Sequence, residues 1–409
     1  MTEKLAIDGG TPVRSKPFPS WPMWGKREEE LLLEVLHSGK WGTLNGPKVI
    51  EFENKFAAFQ GAKYGVCVTG GTAALELALR AMGIGPGDEV ITSPYTFVAT
   101  ASAMFKVGAT PTFADVEPGT LSLDAARVEE AITPRTKAIL PVHIGGCPTN
   151  MDAINQVARR HRLLVLEDAC QAWGAEWGGK RVGPLGDLGG FSFQASKNIN
   201  AGEGGIIVTN DPELYERAWA LHNVGRTLGK SRHEQDLLGF NYRMTEWQGA
   251  VLLAQLERLP QHIKLREESA AYLTDLLEEI PGITPRTRDP RVTQHAWHLY
   301  MFFYDGQAFG GLPREDFIRA LQAEGVPCSP GYKPLYTSPA VRRAWAEQQG
   351  QIKPWQKEAA SLPEAKPCPV CEKACQETVW FYQNMLLGDK RDMEDIATAI
   401  RKIQLAKAK

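Results

Sequence analysis

The chain has 409 residues, 43% hydrophobic and 23% charged, an ordinary globular composition with length enough for two domains. A formal net charge of -2, with no strongly basic stripe, speaks against a nucleic-acid protein. No apolar run reaches the length of a signal peptide or a membrane span, so the expected setting is the cytosol, with no membrane partner.

Helical periodicity runs from Val49 to Gln60 and stops at Gly61. Tyr64 to Thr69 is a short β-rich run, followed by Gly70-Gly71-Thr72 and an Ala/Leu-rich helix from Ala73 to Met82. Exposed amides at that helix start, with the Thr hydroxyl, suit a phosphate; Gly-Gly-Thr serves equally as a tight turn with a Thr cap. Glu89 to Thr92, Thr110 to Phe113, Ala138 to Val142 and Leu163 to Leu166 are apolar runs without alternation. They read as strands buried on both faces of a mostly parallel sheet, with helices between them: an α/β architecture.

Several strand ends carry chemistry. After Thr92 comes Ser93-Pro94-Tyr95-Thr96-Phe97, where Phe97 is a stacking platform for a planar ring or simply core. His143 follows the run Ala138 to Val142 and reads as a strand-end hydrogen-bonding residue ahead of a cofactor contact. Asp168 falls at the carboxyl end of a buried strand, where α/β proteins gather ligands. A carboxylate there needs a partner, and a protonated pyridine nitrogen is one; a helix N-cap or a metal ligand are the alternatives. Lys180 belongs to a solvated hairpin, Trp177 to Gly183.

Phe191-Ser192-Phe193 alternates like a strand with one buried face, and Gly205 to Thr209 reads as another strand. Lys197 lies between them, beside Gly202-Glu203-Gly204-Gly205, whose glycines permit turn conformations. A lysine held there suits an amine that forms a Schiff base with a carbonyl cofactor.

After Asp236 the pattern changes. Asn241-Tyr242-Arg243 precedes a helix from Thr245 to Leu259 that Pro260 ends, and a second helix runs from Ile263 to Ile280. Arg243 serves an anion or pairs with a carboxylate. A strand at Leu299 to Tyr304 and helices at Arg314 to Glu324 and Asp392 to Ala406 suggest a smaller α+β domain. The expected division is a large domain over 1–261 and a small one over 262–409. Gln348 to Lys366, polar and proline-punctuated, reads as a surface loop. Seven scattered cysteines suit reduced thiols. Cys368, Cys371 and Cys375 show no fourth ligand for a metal, and the latter two sit one helical turn apart, so a partly buried helix is the expected reading and no metal is assigned.

An imine-forming amine, a carboxylate for a ring nitrogen, an aromatic for the ring face and phosphate donors together match what pyridoxal 5′-phosphate requires. At this point the chain resembles the DegT/DnrJ/EryC1/StrS sugar aminotransferases. The likeness runs from Ser38-Gly39-Lys40-Trp41 through Gly71-Thr72-Ala73-Ala74-Leu75, Glu167-Asp168-Ala169, Phe191-Ser192-Phe193 and Lys197 to Tyr332-Lys333-Pro334-Leu335-Tyr336 and Cys368-Pro369-Val370. The resemblance implies the fold-type I scaffold: a mostly parallel seven-stranded sheet between helices, plus a smaller C-terminal α+β domain. It implies Lys197 as the Schiff-base lysine and proton shuttle, Asp168 on the pyridine nitrogen, Phe97 on the ring and Gln171 near the ring hydroxyl. Gly71, Thr72 and Ser192 would hold the phosphate, and Asn241 would reach the phosphate of a neighbouring subunit in a symmetric homodimer with shared sites.

Some family members carry histidine in place of the lysine and act as dehydratases; Lys197 favours transamination. Val379-Trp380-Phe381-Tyr382-Gln383-Asn384 replaces a Leu-Pro-type segment of nucleotide-sugar members and, with Ile7 to Arg14 and Trp41, looks more like the cyclitol or aminohydroxybenzoate branch. The expected reaction is ping-pong amino transfer from glutamate or glutamine to a keto-sugar or keto-cyclitol. The rivals are another reaction of the same cofactor, of dehydratase or aminohydroxybenzoate synthase type, and a non-catalytic cofactor-binding regulator. His298 and Tyr332 are further candidates for contact with the acceptor.

Overall fold

The computed structural model describes residues 3–229, 234–235, 237–350, 353 and 366–407. Strands β1 (Tyr64–Val68), β2 (Glu89–Thr92), β3 (Thr110–Phe113), β4 (Thr136–Leu140) and β5 (Leu164–Asp168) come first. A short hairpin, β6 (Glu176–Trp177) and β7 (Lys180–Arg181), precedes β8 (Leu188–Ser192) and β9 (Gly205–Thr209). Among the described residues these build a seven-stranded sheet in the order β1-β9-β8-β5-β4-β2-β3. β9 pairs antiparallel with both of its neighbours, and the pairs from β8 to β3 are parallel. Such a sheet needs cover on both faces.

The first cover comes from α1 (Lys26–Ser38) and α2 (Lys48–Phe59), then α3 (Gly71–Ala81) and α4 (Ala99–Val107). α5 (Ala125–Ala131), α6 (Met151–His161) and α7 (Pro212–His222) complete it. β2, β8 and β9 are buried at every residue, as continuous apolar runs require. β3, at the sheet edge, alternates instead. The expected one-sided burial of Phe191-Ser192-Phe193 is corrected: all three are buried. Phe56 on α2 meets the rings of Phe191 and Phe193 edge-on at 5.2 and 5.4 Å, and the start of α3 covers Ser192 on the opposite face, where a Cβ on Gly71 would lie 2.7 Å from the Ser192 Cβ. The strand expected at Ala138 to Val142 begins two residues earlier, because Thr136 pairs with Glu89.

The largest departure is α8 (Glu246–Glu278), one 33-residue helix that passes through Pro260 where two helices were expected. Packing overrides the local signal. Leu252, Leu256, Leu259 and Ile263 enter the core beneath α2, while Ala270, Leu273 and Leu277 enter a second core. Pro260 itself is exposed. We propose that the division expected at 261/262 lies within this helix, between the last side chain in the first core and the first in the second.

The second core sits under the antiparallel sheet β10 (Ile283–Pro285), β12 (Leu299–Tyr304) and β13 (Thr378–Tyr382), with β11 (Val292–Gln294) joined to the β6–β7 hairpin. α9 (Arg314–Ala323) and α12 (Lys390–Lys407) close it. Two further helices, α10 (Pro339–Gln348) and α11 (Pro369–Glu377), lie between α9 and β13 in the chain. Gln348 ends α10 and is no part of a loop; most of the expected loop up to Lys366 lies outside the described residues. Cys371 and Cys375 are buried on α11, with sulfurs 3.9 Å apart, as the helical spacing predicted.

Candidate active site

A cavity of about 570 Å³ opens where β5, β8 and the start of α3 converge. Gly71, Thr72, Phe97, Asp168, Gln171, Ser192 and Lys197 all line it. Asn241 does not: it is exposed and pairs through its backbone with Asn223.

The floor is the first turn of α3. Ala74 N–H closes the first helical bond on Gly70, so the amides of Gly71, Thr72 and Ala73 have no protein acceptor among the described residues. A Cβ on Gly71 would lie 2.7 Å from the Ser192 Cβ, so only glycine lets the helix start meet the end of β8. Free N–H groups, the Ser192 and Thr72 hydroxyls and the positive end of the helix make an anion cradle.

Asp168 ends β5 and is buried. Its Oδ2 accepts from the Thr100 hydroxyl at 2.8 Å and its Oδ1 from the Cys170 N–H at 3.2 Å. With Thr100 donating, the Thr96 hydroxyl 3.0 Å away donates to Thr100. Neither bond carries a positive charge, so the carboxylate keeps its demand for a cationic partner in the cavity. This answers the N-cap reading, since Asp168 belongs to a strand and its oxygens converge on the cavity floor. Gln171 is anchored at both ends: Gly145 N–H donates to its Oε1 at 2.7 Å, and its Nε2 donates to the Tyr332 hydroxyl at 3.1 Å. Burial pushes that phenol up to about 12, and it stays protonated. Phe97, 57% exposed, presents its ring at the start of α4.

Lys197 sits on the turn after β8, where Ala195 N–H bonds Gly202 O and Phe193 N–H bonds Gly204 O. Burial lowers its ammonium below the ordinary lysine range, only partly offset by Cys170 and Asp168. Its Nζ lies 3.4 Å from His298 Nε2. The tautomer follows from the neighbours. Asn198 Nδ2 donates to Ala296 O at 2.7 Å, so Asn198 Oδ1 faces His298 Nδ1 at 3.0 Å and that nitrogen carries the proton. His298 Nε2 is therefore the acceptor toward Lys197. Burial, followed by the charges of Lys197 and Arg266, pushes the imidazole well below its ordinary range, so it is neutral. The result is a uncharged base that holds one lone pair against a lysine already inclined to lose its proton.

His143 is settled as structural: its Nε2 meets Glu167 Oε2 at 2.9 Å, and Thr149 N–H donates to its Nδ1. Arg243 donates to Asn223 Oδ1 at 2.9 Å and does not line the cavity. Lys180 is exposed on its hairpin. The roof contains residues that the sequence marked only as a branch feature or not at all. Trp21 reaches in from the N-terminal arm and donates from Nε1 to Lys197 O at 3.1 Å. Trp380 stands on β13, Ser329 bridges to it, and Gln383 and Asn384 follow directly after that strand. Thr100 had a legible signal, since it stands one helical turn after Thr96 in the motif that holds Phe97.

A model of the DegT/DnrJ/EryC1/StrS aminotransferase family matches residues 22–379. The chain belongs to this family. Within it, the L-glutamine:2-deoxy-scyllo-inosose aminotransferase of Streptoalloteichus tenebrarius is 40% identical over 423 residues, covering 98% of each chain. The 3-amino-5-hydroxybenzoate synthase of Amycolatopsis mediterranei is 35% identical over 389 residues, covering 95% of this chain and 97% of its own. Among solved structures, a 3-amino-5-hydroxybenzoic acid synthase superposes with a TM-score of 0.86 at 34% identity, covering 96% of this chain and 100% of that one. The chain is thus an aminotransferase on the fold-type I scaffold, with relatives in the cyclitol and aminohydroxybenzoate branch that Val379 to Asn384 suggested.

Proposed function

We propose that this family member binds pyridoxal 5′-phosphate in the cavity and moves an amino group from glutamine to a keto-cyclitol by a ping-pong route, in secondary-metabolite biosynthesis. The observation that carries the reading is Lys197, its ammonium destabilised by burial and its Nζ held against a neutral His298, on the same cavity as Asp168 and the start of α3. The relatives' names supply the donor and the acceptor class.

The residues fit the cofactor. The cradle of Gly71, Thr72 and Ser192 takes a phosphate, Asp168 takes a protonated ring nitrogen, Phe97 covers a ring face and Gln171 stands near the ring hydroxyl. When bound, the cofactor supplies an electrophilic aldehyde carbon and a ring that accepts electron density. The chain's own part is proton handling and orientation. A neutral Lys197 amine is the nucleophile and then the base and acid at the substrate Cα, while His298 and the Trp21 bond to Lys197 O hold its position. Asp168, held in place by Thr100 and Cys170, would pair with the ring nitrogen.

The test is Lys197→Ala. The reconstituted variant should lose its visible-edge absorbance and all turnover; a variant that keeps both sinks the reading. A panel of keto-cyclitols and nucleotide keto-sugars, offered after glutamine treatment, identifies the acceptor. The kinship with 3-amino-5-hydroxybenzoate synthases favours a second reading, elimination of water from a cyclic substrate to leave an aromatic product, which product absorbance resolves.

The proposal includes a symmetric homodimer in which Asn241 of the partner subunit completes the phosphate site. The exposed Leu33, Leu36, Trp41 and Ile50 on and between α1 and α2 supply an apolar face for it. Sedimentation giving only monomer would remove this part. All seven cysteines are free, which suits the reducing cytosol where we place the enzyme.

A further inference from the structure

Behind the roof of the cavity lies a buried cation without an anion. Arg266 on α8 is fully buried, and no carboxylate stands within ion-pair distance of it among the described residues. Its Nε donates to Gln383 O at 3.3 Å and its Nη2 to Gln383 Oε1 at 2.5 Å, while its Nη1 has no acceptor. The guanidinium carbon lies 5.5 Å from the centre of the Trp21 ring. Burial pushes the group down to about 9, so it stays mostly charged at neutral pH. A charge in that position calls for an anion or a strongly polarised neighbour.

Gln383 is that neighbour. A guanidinium only donates, so the side chain must turn its carbonyl oxygen toward Arg266 and its NH₂ away from it. The Nε2 meets no protein acceptor among the described residues, although Gln383 is only 3% exposed and lines the cavity. Asn384 beside it spends its own Nδ2 on Pro19 O at 2.7 Å. The roof thus holds one amide whose two donors are unspent and whose orientation is set by an uncompensated positive charge.

We infer that Gln383, oriented by Arg266, recognises the carboxylate of the amino donor. A carboxylate accepts an N–H donor of this amide and brings the missing negative charge toward Arg266; a cyclitol hydroxyl offers no charge to the pair. Gln383 is on this view a binding residue and Arg266 a positioning residue that acts through it. The inference rests on the reading of glutamine as the donor.

The test uses the cofactor-loaded full chain and two unreactive probes, titrated by calorimetry. One is the monoamide of glutaric acid, which is glutamine without its amine; the other is the diamide, which lacks the carboxylate. The wild type should bind the carboxylate probe about tenfold tighter than the diamide or better. Gln383→Glu is nearly isosteric, keeps an oxygen on Arg266 and replaces the NH₂ with a second acceptor. It should lose that preference while binding the diamide within about twofold of the wild type. Arg266→Lys should give an intermediate preference, since it restores the charge without the two-point hold on Gln383. Equal binding of the two probes by the wild type overturns the inference without any variant, as does a Gln383→Glu protein that keeps the preference. Glutamine-dependent loss of the cofactor's absorbance tests the donor reading separately. A wild type that prefers the carboxylate probe but never takes an amine from glutamine defeats the donor reading alone; one that takes the amine yet binds both probes alike defeats this inference alone.

Discussion

The hydroxyl of Thr100 decides what Asp168 can do. Asp168 ends a buried strand, and its only side-chain donor among the described residues is Thr100 at 2.8 Å, itself supported by Thr96. Removing that donor leaves a buried carboxylate short of a charge-assisted bond, worth about 1.5–3 kcal/mol. Thr100→Val should therefore weaken cofactor binding about tenfold or more, because Asp168 loses the hydroxyl that orients its carboxylate and pairs less well with a ring nitrogen. Thr100→Ser, which restores the hydroxyl, should recover most of the loss. Absorbance titration of the cofactor into the three proteins reads this directly; equal affinities would mean that Asp168 does not need its local donor. Lys197 and Asp168 were legible in the sequence because strand ends and glycine turns are local patterns. His298 and Tyr332 appeared only as candidates, and Gln383 and Asn384 only as a branch marker. Their link to the site depends on contacts across a hundred residues or more, such as Lys197 with His298 and Gln171 with Tyr332.

Single elements show where local rules lose to packing. Pro260 is a strong stop signal, yet α8 continues through it because buried side chains on both sides hold the helix in two cores. The residue faces solvent, where the carbonyl freed by its missing N–H is most easily hydrated. β2 and β9 read correctly because a run buried on both faces announces itself as continuous apolar sequence, and length separates it from a helix. What the sequence could not reveal is how α8 meets α2. Glu246, fully buried at the start of α8, accepts from the N–H groups of Lys48 and Val49 at 2.6 and 3.0 Å and so caps α2 from another helix. One turn along, Gly249 lets the two backbones touch: a Cβ there would lie 2.8 Å from Val49 N. The neighbour is main chain held by the Glu246 bonds and cannot swing aside. Gly249→Ala should thus destabilise by about 1–3 kcal/mol despite its better helix propensity. A rise in the urea midpoint would show that the helices separate more easily than this contact implies.

Across the whole molecule, the N-terminal arm ties the second core to the active site. Glu324 collects the N–H groups of Ala6 and Val13 and the Lys402 ammonium at 2.8, 3.0 and 2.9 Å. Arg14 then enters between α9 and α12 and pairs with Asp392 at 2.7 Å and Asp395 at 3.0 Å, all largely buried. From this anchor the chain runs on to Pro19, held by Asn384, and to Trp21 at Lys197. Burial alone would raise the Asp392 carboxyl, but the Asp389 N–H and the Arg14 guanidinium overcome it and hold the group below its ordinary value. A carboxyl lowered on folding stabilises the protein above its unfolded pKa, near 4, and that contribution disappears as the pH falls through the lower folded value. Arg14→Met leaves Asp392 and Asp395 with only the exposed Lys16 and Arg391, at 3.6 and 3.2 Å, and should cost about 3 kcal/mol at pH 7, the low end for a broken buried pair. The same variant should lie closer to the wild type near about pH 3, where protonation of Asp392 has begun to remove the wild type's own advantage. Urea unfolding of both proteins at the two pH values measures the gap. It should narrow on acidification, and with it should come lost turnover at pH 7, since the arm that carries Trp21 to Lys197 has lost its anchor. A gap of the same size at both pH values would place the value of Arg14 in its packing on Phe18, 4.0 Å from the ring centre, instead of in its charge.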